Sequence, residues 1–319
     1  MSDYYQIVTE ALSSIDLKRE PQGLYAPISY ALETGGKRMR PVLALIASDM
    51  FGGNRQDVIP AAMALEVFHN FTLLHDDLMD NADTRRGRPS VHKKWNQNTA
   101  ILSGDQMLIE AYKQLQHIPE YYLSACMPLF NRMATEICEG QQYDMDFESR
   151  DDVSLDEYIE MIRLKTAVMP ATALRLGALI AGASLENQSA LYNIGINIGL
   201  AFQLRDDYLD VYGDPKTFGK AIGGDILDKK KTFLYITALR NATDSQKQQF
   251  DYWFENEDKQ SKISQISRLY AETGADTACL ECIEHYHKTG VEILDSLPIA
   301  EKSKLPLRNI IQQLLNREK

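Results

Sequence analysis

The chain is 319 residues long, 44% hydrophobic and 25% charged, the proportions of an ordinary soluble globular protein. Its formal net charge of -11 argues against nonspecific binding to nucleic acid or an anionic membrane surface, but an anionic substrate is compatible wherever basic residues cluster. Met1-Ser2-Asp3-Tyr4-Tyr5 lacks the pattern of a signal peptide, no apolar run approaches a membrane span, and four cysteines suggest no disulfide framework, so a cytoplasmic location is expected.

Helical spacing covers residues 4–33 and stops at Gly35-Gly36. The turn that follows carries Lys37, Arg38 and Arg40, and Pro41 suits the first turn of a helix from Val42 to about Phe51. The next helix is predicted from about Val58 to Met79, with Ile59, Met63, Val67, Phe71, Leu74 and Leu78 at steps of three or four. Asp83-Thr84-Arg85-Arg86-Gly87-Arg88-Pro89 reads as a basic loop. Further helices are predicted over roughly 97–115, 119–146, 154–184 and 187–213. A loop then runs through Gly219-Lys220, Gly223-Gly224-Asp225 and Lys229-Lys230-Lys231, and Phe233 to Leu315 reads as four or five helices.

No segment shows the alternation of a convincing strand, and no linker interrupts the chain. One all-α domain over residues 1–319 is therefore expected, a helical bundle around a deep central cavity. Cys279 and Cys282, with His285 and His287 nearby, read as residues of an ordinary helix, since no second cysteine pair completes a metal site.

Two acidic clusters organise the chemistry. Asp76, Asp77 and Asp80 end one apolar helix, and Asp206, Asp207 and Asp210 repeat the spacing 130 residues later. At about 100° per residue, the first and last aspartate of each cluster share a helix face. Adjacent like charges repel, so the spacing makes sense if hard divalent cations sit among the carboxylates. Basic residues at glycine-rich turns supply the opposite need. Together they suit a diphosphate leaving group held by Mg²⁺ and by Lys and Arg. No P-loop sequence occurs.

Between Tyr30 and Thr232 the chain resembles the trans-isoprenyl diphosphate synthases, or polyprenyl synthetases. The ordered motifs are GGKRMRP, FHNFTLLHDDLMD, RRGRP, GDQM, GQQYD, LKTA, FQLRDDYLD, GK and GGDILDKKKT. The resemblance implies an α-helical homodimer with about three Mg²⁺ ions, which condenses isopentenyl diphosphate head-to-tail with an allylic diphosphate. It assigns the metal to Asp76, Asp77, Asp80, Asp206 and Asp207, with Asp210 acting through water. It places Arg85, Lys165 and Lys220 on the allylic diphosphate, with Lys230 through water. Lys37, Arg40, His69 and Arg86 take the diphosphate of isopentenyl diphosphate, and Thr166 and Gln203 face the reacting carbons. Ala167 departs from the family, in which glycine is common after Lys-Thr. His75 is read as structural rather than as a general base.

Chain length is expected to be set below Asp76. Phe71 lies five residues earlier, a drop of roughly 7–8 Å along the axis. Ideal geometry turns Phe71 about 140° from Asp76 and Thr72 only about 40°, so pattern alone selects Thr72 as lining. The resemblance instead makes Phe71 the floor, with Phe68 next, and a small Thr72 points to a C20 product ahead of C15. A class I terpene cyclase, a head-to-head synthase and a non-catalytic subunit of a heteromeric synthase are the alternatives. The first two would not need the second set of cations, and the last tends to lose aspartates that this chain retains.

Overall fold

The computed structural model describes residues 2–214 and 222–315, and over these the chain is almost entirely helical. It divides into two compact units, Met1–Asn131 with Thr172–Leu191 and Ile299–Leu307, and Arg132–Ala171 with Tyr192–Pro298 and Arg308–Lys319.

The first unit opens with α1 (Ser2–Ser13) and α2 (Gln22–Glu33), where the apolar spacing alone predicts one run. Two local features break it. The Asp16 carboxylate accepts the Lys18 N–H at 3.2 Å, and Pro21 disfavours helical backbone at Glu20 while taking the extended N-cap position of α2. Helix α3 (Met39–Met50) carries Pro41 in its first turn, as expected. Helix α4 (Arg55–Met79) starts earlier than its apolar stripe because Asn54 caps it, accepting the Gln56 N–H at 3.1 Å.

The expected basic loop is a small hairpin, which corrects the reading that no strand forms. β1 (Thr84–Arg85) pairs antiparallel with β2 (Arg88–Pro89), Thr84 opposite Pro89 and Arg85 opposite Arg88. The connecting residues Arg86 and Gly87 have φ of 52° and 74°, the left-handed pair that a tight two-residue turn requires. Period-two alternation could not reveal strands this short. A one-turn helix, α5 (Val91–Lys94), leads to α6 (Gln97–Leu115), and α4 packs against α3 and α6. An edge-to-face ladder runs through this core, with Phe68 to Phe130 at 5.4 Å and Phe130 to Tyr112 at 5.5 Å between ring centres.

Helix α7 spans Glu120–Glu148. The helix expected over 154–184 runs without a break from 155 to 180, as α8 (Leu155–Ile162), a π-helical turn at Arg163–Ala167, and α9 (Val168–Ile180). Ser154 and Glu157 form a reciprocal capping box at the start of α8. The π turn lies against Gly140 of α7, where a Cβ would fall 2.4 Å from the Lys165 backbone nitrogen. Helix α10 (Leu185–Tyr212) and the short α11 (Gly224–Leu227) follow. The C-terminal stretch forms five helices: α12 (Phe233–Asn241), α13 (Asp244–Phe254), α14 (Lys259–Glu272), α15 (Ala275–Ser296) and α16 (Glu301–Leu315).

The core of the second unit gathers Tyr158, Leu204, Phe233, Phe250, Ile266 and Leu269. Cys279 is buried there on α15, its thiol directed at the Leu204 carbonyl at 3.7 Å. Ala167, also buried in that core, faces Gly199, so its extra methyl over the family's glycine is accommodated by a residue without a side chain. Among the described residues no helix is long and apolar enough to cross a membrane.

Phe130 is fully buried between Phe68 and Tyr112. Phe130→Ala is expected to cost about 3–5 kcal/mol, read as a lower urea midpoint by circular dichroism; a loss below about 1 kcal/mol would show that the ladder is not part of the stabilising core.

Candidate active site

The C-terminal end of α4 and the β1–β2 hairpin build the first acidic cluster. Asp77 is 4% exposed and accepts the Arg85 Nε–H at 2.8 Å, while the same guanidinium lies 3.7 Å from Asp76. Burial pushes the Asp77 carboxyl above its usual range, with Arg85 pulling the other way. For Arg85, burial opposes the charge, but Asp77, Asp76 and Asp80 outweigh it and hold the guanidinium above its ordinary value. Asp80 caps α4, its N–H donating to the Asp76 carbonyl at 2.9 Å, and its side chain is exposed.

The hairpin aims its two arginines in different directions. Arg85 goes to the carboxylates, and Arg86 donates to the Gly35 carbonyl. Gly36 lies beneath it at a φ of 122°, a conformation that favours glycine, and a Cβ there would push the Arg86 guanidinium aside. Arg38, left-handed at the N-cap of α3, donates to the Leu32 carbonyl and pairs with Glu66 at 2.5 Å. Both partners are nearly sealed from solvent, and the Glu66 carboxylate also takes the Asn70 amide at 2.9 Å.

Arg40 and His69 complete the basic cluster. Burial lowers the Arg40 guanidinium to about 10, with Glu66 opposing and Arg86 adding repulsion. Its Nε has no hydrogen-bond partner among the described residues. His69 is driven well below its ordinary value by burial and then by Arg40, Arg86, Arg85 and Arg38, so it stays neutral near pH 7. The guanidinium groups of Arg38, Arg40 and Arg86 are thus neighbours near the N-terminus of α3, where the helix dipole adds further positive potential, and Arg85 adds to the field from the carboxylate side. Lys37, on the same turn, is exposed.

The second cluster is built by α10, the π turn and α11. Asp207 is 5% exposed; Tyr158 donates its hydroxyl to one carboxylate oxygen and Gln203 Nε2 donates to the other at 2.9 Å. Thr166 donates to Gln203 Oε1 at 3.0 Å, which fixes the orientation of the amide. Burial, then Asp225, raises the Asp207 carboxyl well above its ordinary value against the pull of Tyr158 and Gln203. Asp210 anchors α11, its carboxylate accepting the Asp225 N–H at 3.0 Å. Burial and Asp210 push Asp225 up to about 6, with Lys230 opposing. Lys165 donates to Asp144 at 2.6 Å. Lys220 lies outside the described residues.

Each unit therefore assembles its share of the expected residues: Asp76, Asp77, Asp80, Arg85, Arg86, Arg40 and His69 in the first, and Lys165, Thr166, Gln203, Asp206, Asp207, Asp210 and Lys230 in the second. The residues that sequence reasoning left unassigned are Glu66, Asp144, Tyr158 and Asp225. Asp144 and Asp225 sit inside recognisable motifs, but nothing in one dimension gives their partners. Tyr158 carries only a helical apolar spacing.

Among the described residues no three His, Cys, Asp or Glu side chains converge as a closed metal cage. Mg²⁺ does not need one, since it binds through one or two carboxylates together with substrate phosphates. Asp76 and Asp80, both solvent-accessible at the negative end of α4, have the hard-oxygen chemistry that suits it. On α6, a Cβ at Gly104 would fall 2.1 Å from His75 Nε2, and that nitrogen donates to the Ile101 carbonyl at 3.2 Å, which agrees with a structural His75.

Comparison with known proteins adds independent findings. A family model described as Polyprenyl synthetase matches residues 21–272. The chain is 37% identical to a geranylgeranyl diphosphate synthase of Methanosarcina mazei over 93% of its own length and 91% of that protein. It superimposes on a crystal structure of a geranylgeranyl pyrophosphate synthase with a TM-score of 0.92 at 44% identity, covering 100% of this chain and 98% of the other. A geranylgeranyl pyrophosphate synthase from Corynebacterium glutamicum, solved with isoprenyl diphosphate and magnesium, matches at a TM-score of 0.88 and 29% identity over 99% and 98% of the two chains.

The Arg38–Glu66 pair sets up the basic cluster and makes a separate prediction. Arg38→Met strands a buried carboxylate and is expected to destabilise the protein by about 3–5 kcal/mol. Adding Glu66→Gln to it should recover at least about half of that loss by urea unfolding. Equal stability of wild type and Arg38→Met would mean that the pair is solvated.

Proposed function

This chain belongs to the polyprenyl synthetase family, so it is a prenyltransferase that makes short-chain all-trans prenyl diphosphates, and we propose geranylgeranyl diphosphate (C20) as its main product. The observation that carries the two-substrate reading is the pairing, within one unit, of a carboxylate-rich helix end with a separate cluster of arginines around a neutral His69. The first suits a diphosphate bridged by metal; the second suits a diphosphate bound by guanidinium forks alone. A cyclase, which handles one diphosphate, leaves the arginine cluster without a ligand.

In the proposed reaction the C1–O bond of the allylic diphosphate breaks and its electron pair leaves with the diphosphate. The double bond of isopentenyl diphosphate attacks C1 through its C4, and a proton lost from C2 goes to the departed diphosphate. Asp76, Asp77, Asp80, Asp206 and Asp207 would hold Mg²⁺, about three ions by family resemblance, with Asp210 acting through water; Asp77 and Asp207 are the buried members, held in place by Arg85 and by Tyr158 and Gln203. When bound, the metal supplies neutralisation of the charge that develops on the leaving diphosphate. Arg85, Lys165, Lys220 and Lys230 face the same diphosphate, and Lys37, Arg40, His69 and Arg86 hold that of isopentenyl diphosphate. Thr166 and Gln203 present neutral oxygen dipoles to the allylic carbon. Phe71, above Phe68, closes the chain space, and Thr72 lines it.

Residues 1–319 work as one synthase domain in this proposal. A homodimer is part of it, supported by Ile101, Leu102 and Ile109, all exposed on α6. So is a cytoplasmic location, supported by four free thiols, the state kept by a reducing compartment.

Incubation of the purified protein with Mg²⁺, isopentenyl diphosphate and each allylic primer, with products measured by mass, is expected to yield mainly C20 diphosphate. A C15 or C25 main product would overturn the length assignment, and no diphosphate release would overturn the activity.

Asp76→Asn and Asp206→Asn are each expected to lower kcat by about a hundredfold or more without loss of fold. Arg40→Ala should raise KM for isopentenyl diphosphate more than for the allylic substrate, and Lys165→Ala the reverse. Equal shifts in both would contradict the division into two diphosphate subsites.

A further inference from the structure

We propose that His75 is a positioning residue for product length, a brace that keeps the Phe71 ring across the chain space. The inference rests on the reading of Phe71 as the floor and names what holds that floor in place.

Phe68, Phe71 and His75 follow one another at steps of three and four along α4, so they share the stripe that packs against α6. The Phe71 ring is half-buried and sits between two neighbours. Phe68 lies below it at 5.4 Å between ring centres, itself 1% exposed and backed by Phe130. His75 lies above it at 4.8 Å, with the two ring planes at 66°. The lower neighbour is fixed by the aromatic ladder of the core.

The upper neighbour is fixed by α6. His75 Nε2 donates to the Ile101 carbonyl at 3.2 Å, and a carbonyl only accepts, so the proton resides on Nε2. A Cβ at Gly104 would fall 2.1 Å from Nε2 and 2.5 Å from Cδ2. The imidazole therefore fills the space that the glycine leaves and cannot retreat further toward α6. With both neighbours fixed, the Phe71 ring has no free rotation away from a growing chain that presses on it.

This gives a role to the histidine that precedes Asp76 on α4 without calling on proton transfer. Its Nε2 proton is committed to a backbone carbonyl, and its contact with Phe71 is an edge-to-face contact rather than a polar one. Replacing it by a small residue leaves an imidazole-sized space between Phe71 and α6, into which the floor can swing.

The test is the product distribution, a ratio that is independent of how fast each variant turns over. His75→Ala is expected to raise the proportion of product longer than the wild-type main product by about threefold or more, the scale of one edge-to-face contact. His75→Leu, which keeps apolar bulk against Phe71, should stay within about twofold of wild type. Phe71→Ala should lengthen the products, and adding His75→Ala to it should change nothing further. Lengthening by Phe71→Ala with none by His75→Ala overturns the brace and leaves the floor intact. Independent, additive lengthening overturns it as well, because His75 would then not act through Phe71. No lengthening by Phe71→Ala overturns the floor itself.

Discussion

Burying the middle carboxylate of each aspartate triplet, and giving it fixed donors, is the constraint from which the rest of the site geometry follows. Asp77 receives Arg85, and Asp207 receives Tyr158 and Gln203. An unpaired buried carboxylate is too costly to persist, so each of these contacts holds the end of its helix in one rotation and the neighbouring residue in one place. On α4 that leaves Asp76 partly exposed and Asp80 exposed, one turn apart. On α10 it fixes Gln203 and, through it, Thr166.

The cations fall into two electrostatic states. Arg85 and Lys165 are matched by carboxylates, Asp77 and Asp144, at 2.8 and 2.6 Å. In the proposed reaction, a diphosphate that meets either group exchanges one anionic partner for another, so little new desolvation is required. Arg40 is in the opposite state, since burial lowers its pKa to about 10 and Arg86 repels it. A neutral His69 adds no charge to that repulsion but can still donate a hydrogen bond. The arginine cluster is thus a charge imbalance that an anion relieves, whereas the aspartate side is one that a cation relieves.

Much of this was legible in the sequence because the acidic and basic residues sit at short, ordered spacings on helix ends and glycine turns. The helices with long apolar stripes, such as α6 and α10, appear close to their expected bounds. What the sequence could not show has local causes. The break between α1 and α2 depends on an Asp16 side-chain contact, and the hairpin is two residues per strand. The π turn places Lys165 and Thr166 without any change in composition. Among the site residues, Tyr158 was invisible because its role is one hydroxyl on an otherwise apolar, buried ring. Asp225 was visible as part of a glycine turn, but its closeness to Asp210 depends on the chain returning to α10.

In the proposed reaction, the network around Gln203 would let an acidic helix stand beside a developing carbocation without trapping it. A bare carboxylate would stabilise positive charge at carbon but could also form a bond to it. Asp207 is prevented from doing so, because both of its oxygens accept hydrogen bonds and the group is buried behind Gln203. The donor end of Gln203 is held by Asp207, so its carbonyl oxygen is turned toward Thr166, and the hydroxyl of Thr166 is oriented in turn. The surface offered to the allylic carbon in the proposed reaction is therefore a pair of neutral, fixed oxygen dipoles, which stabilise a cation without a nucleophile strong enough to capture it.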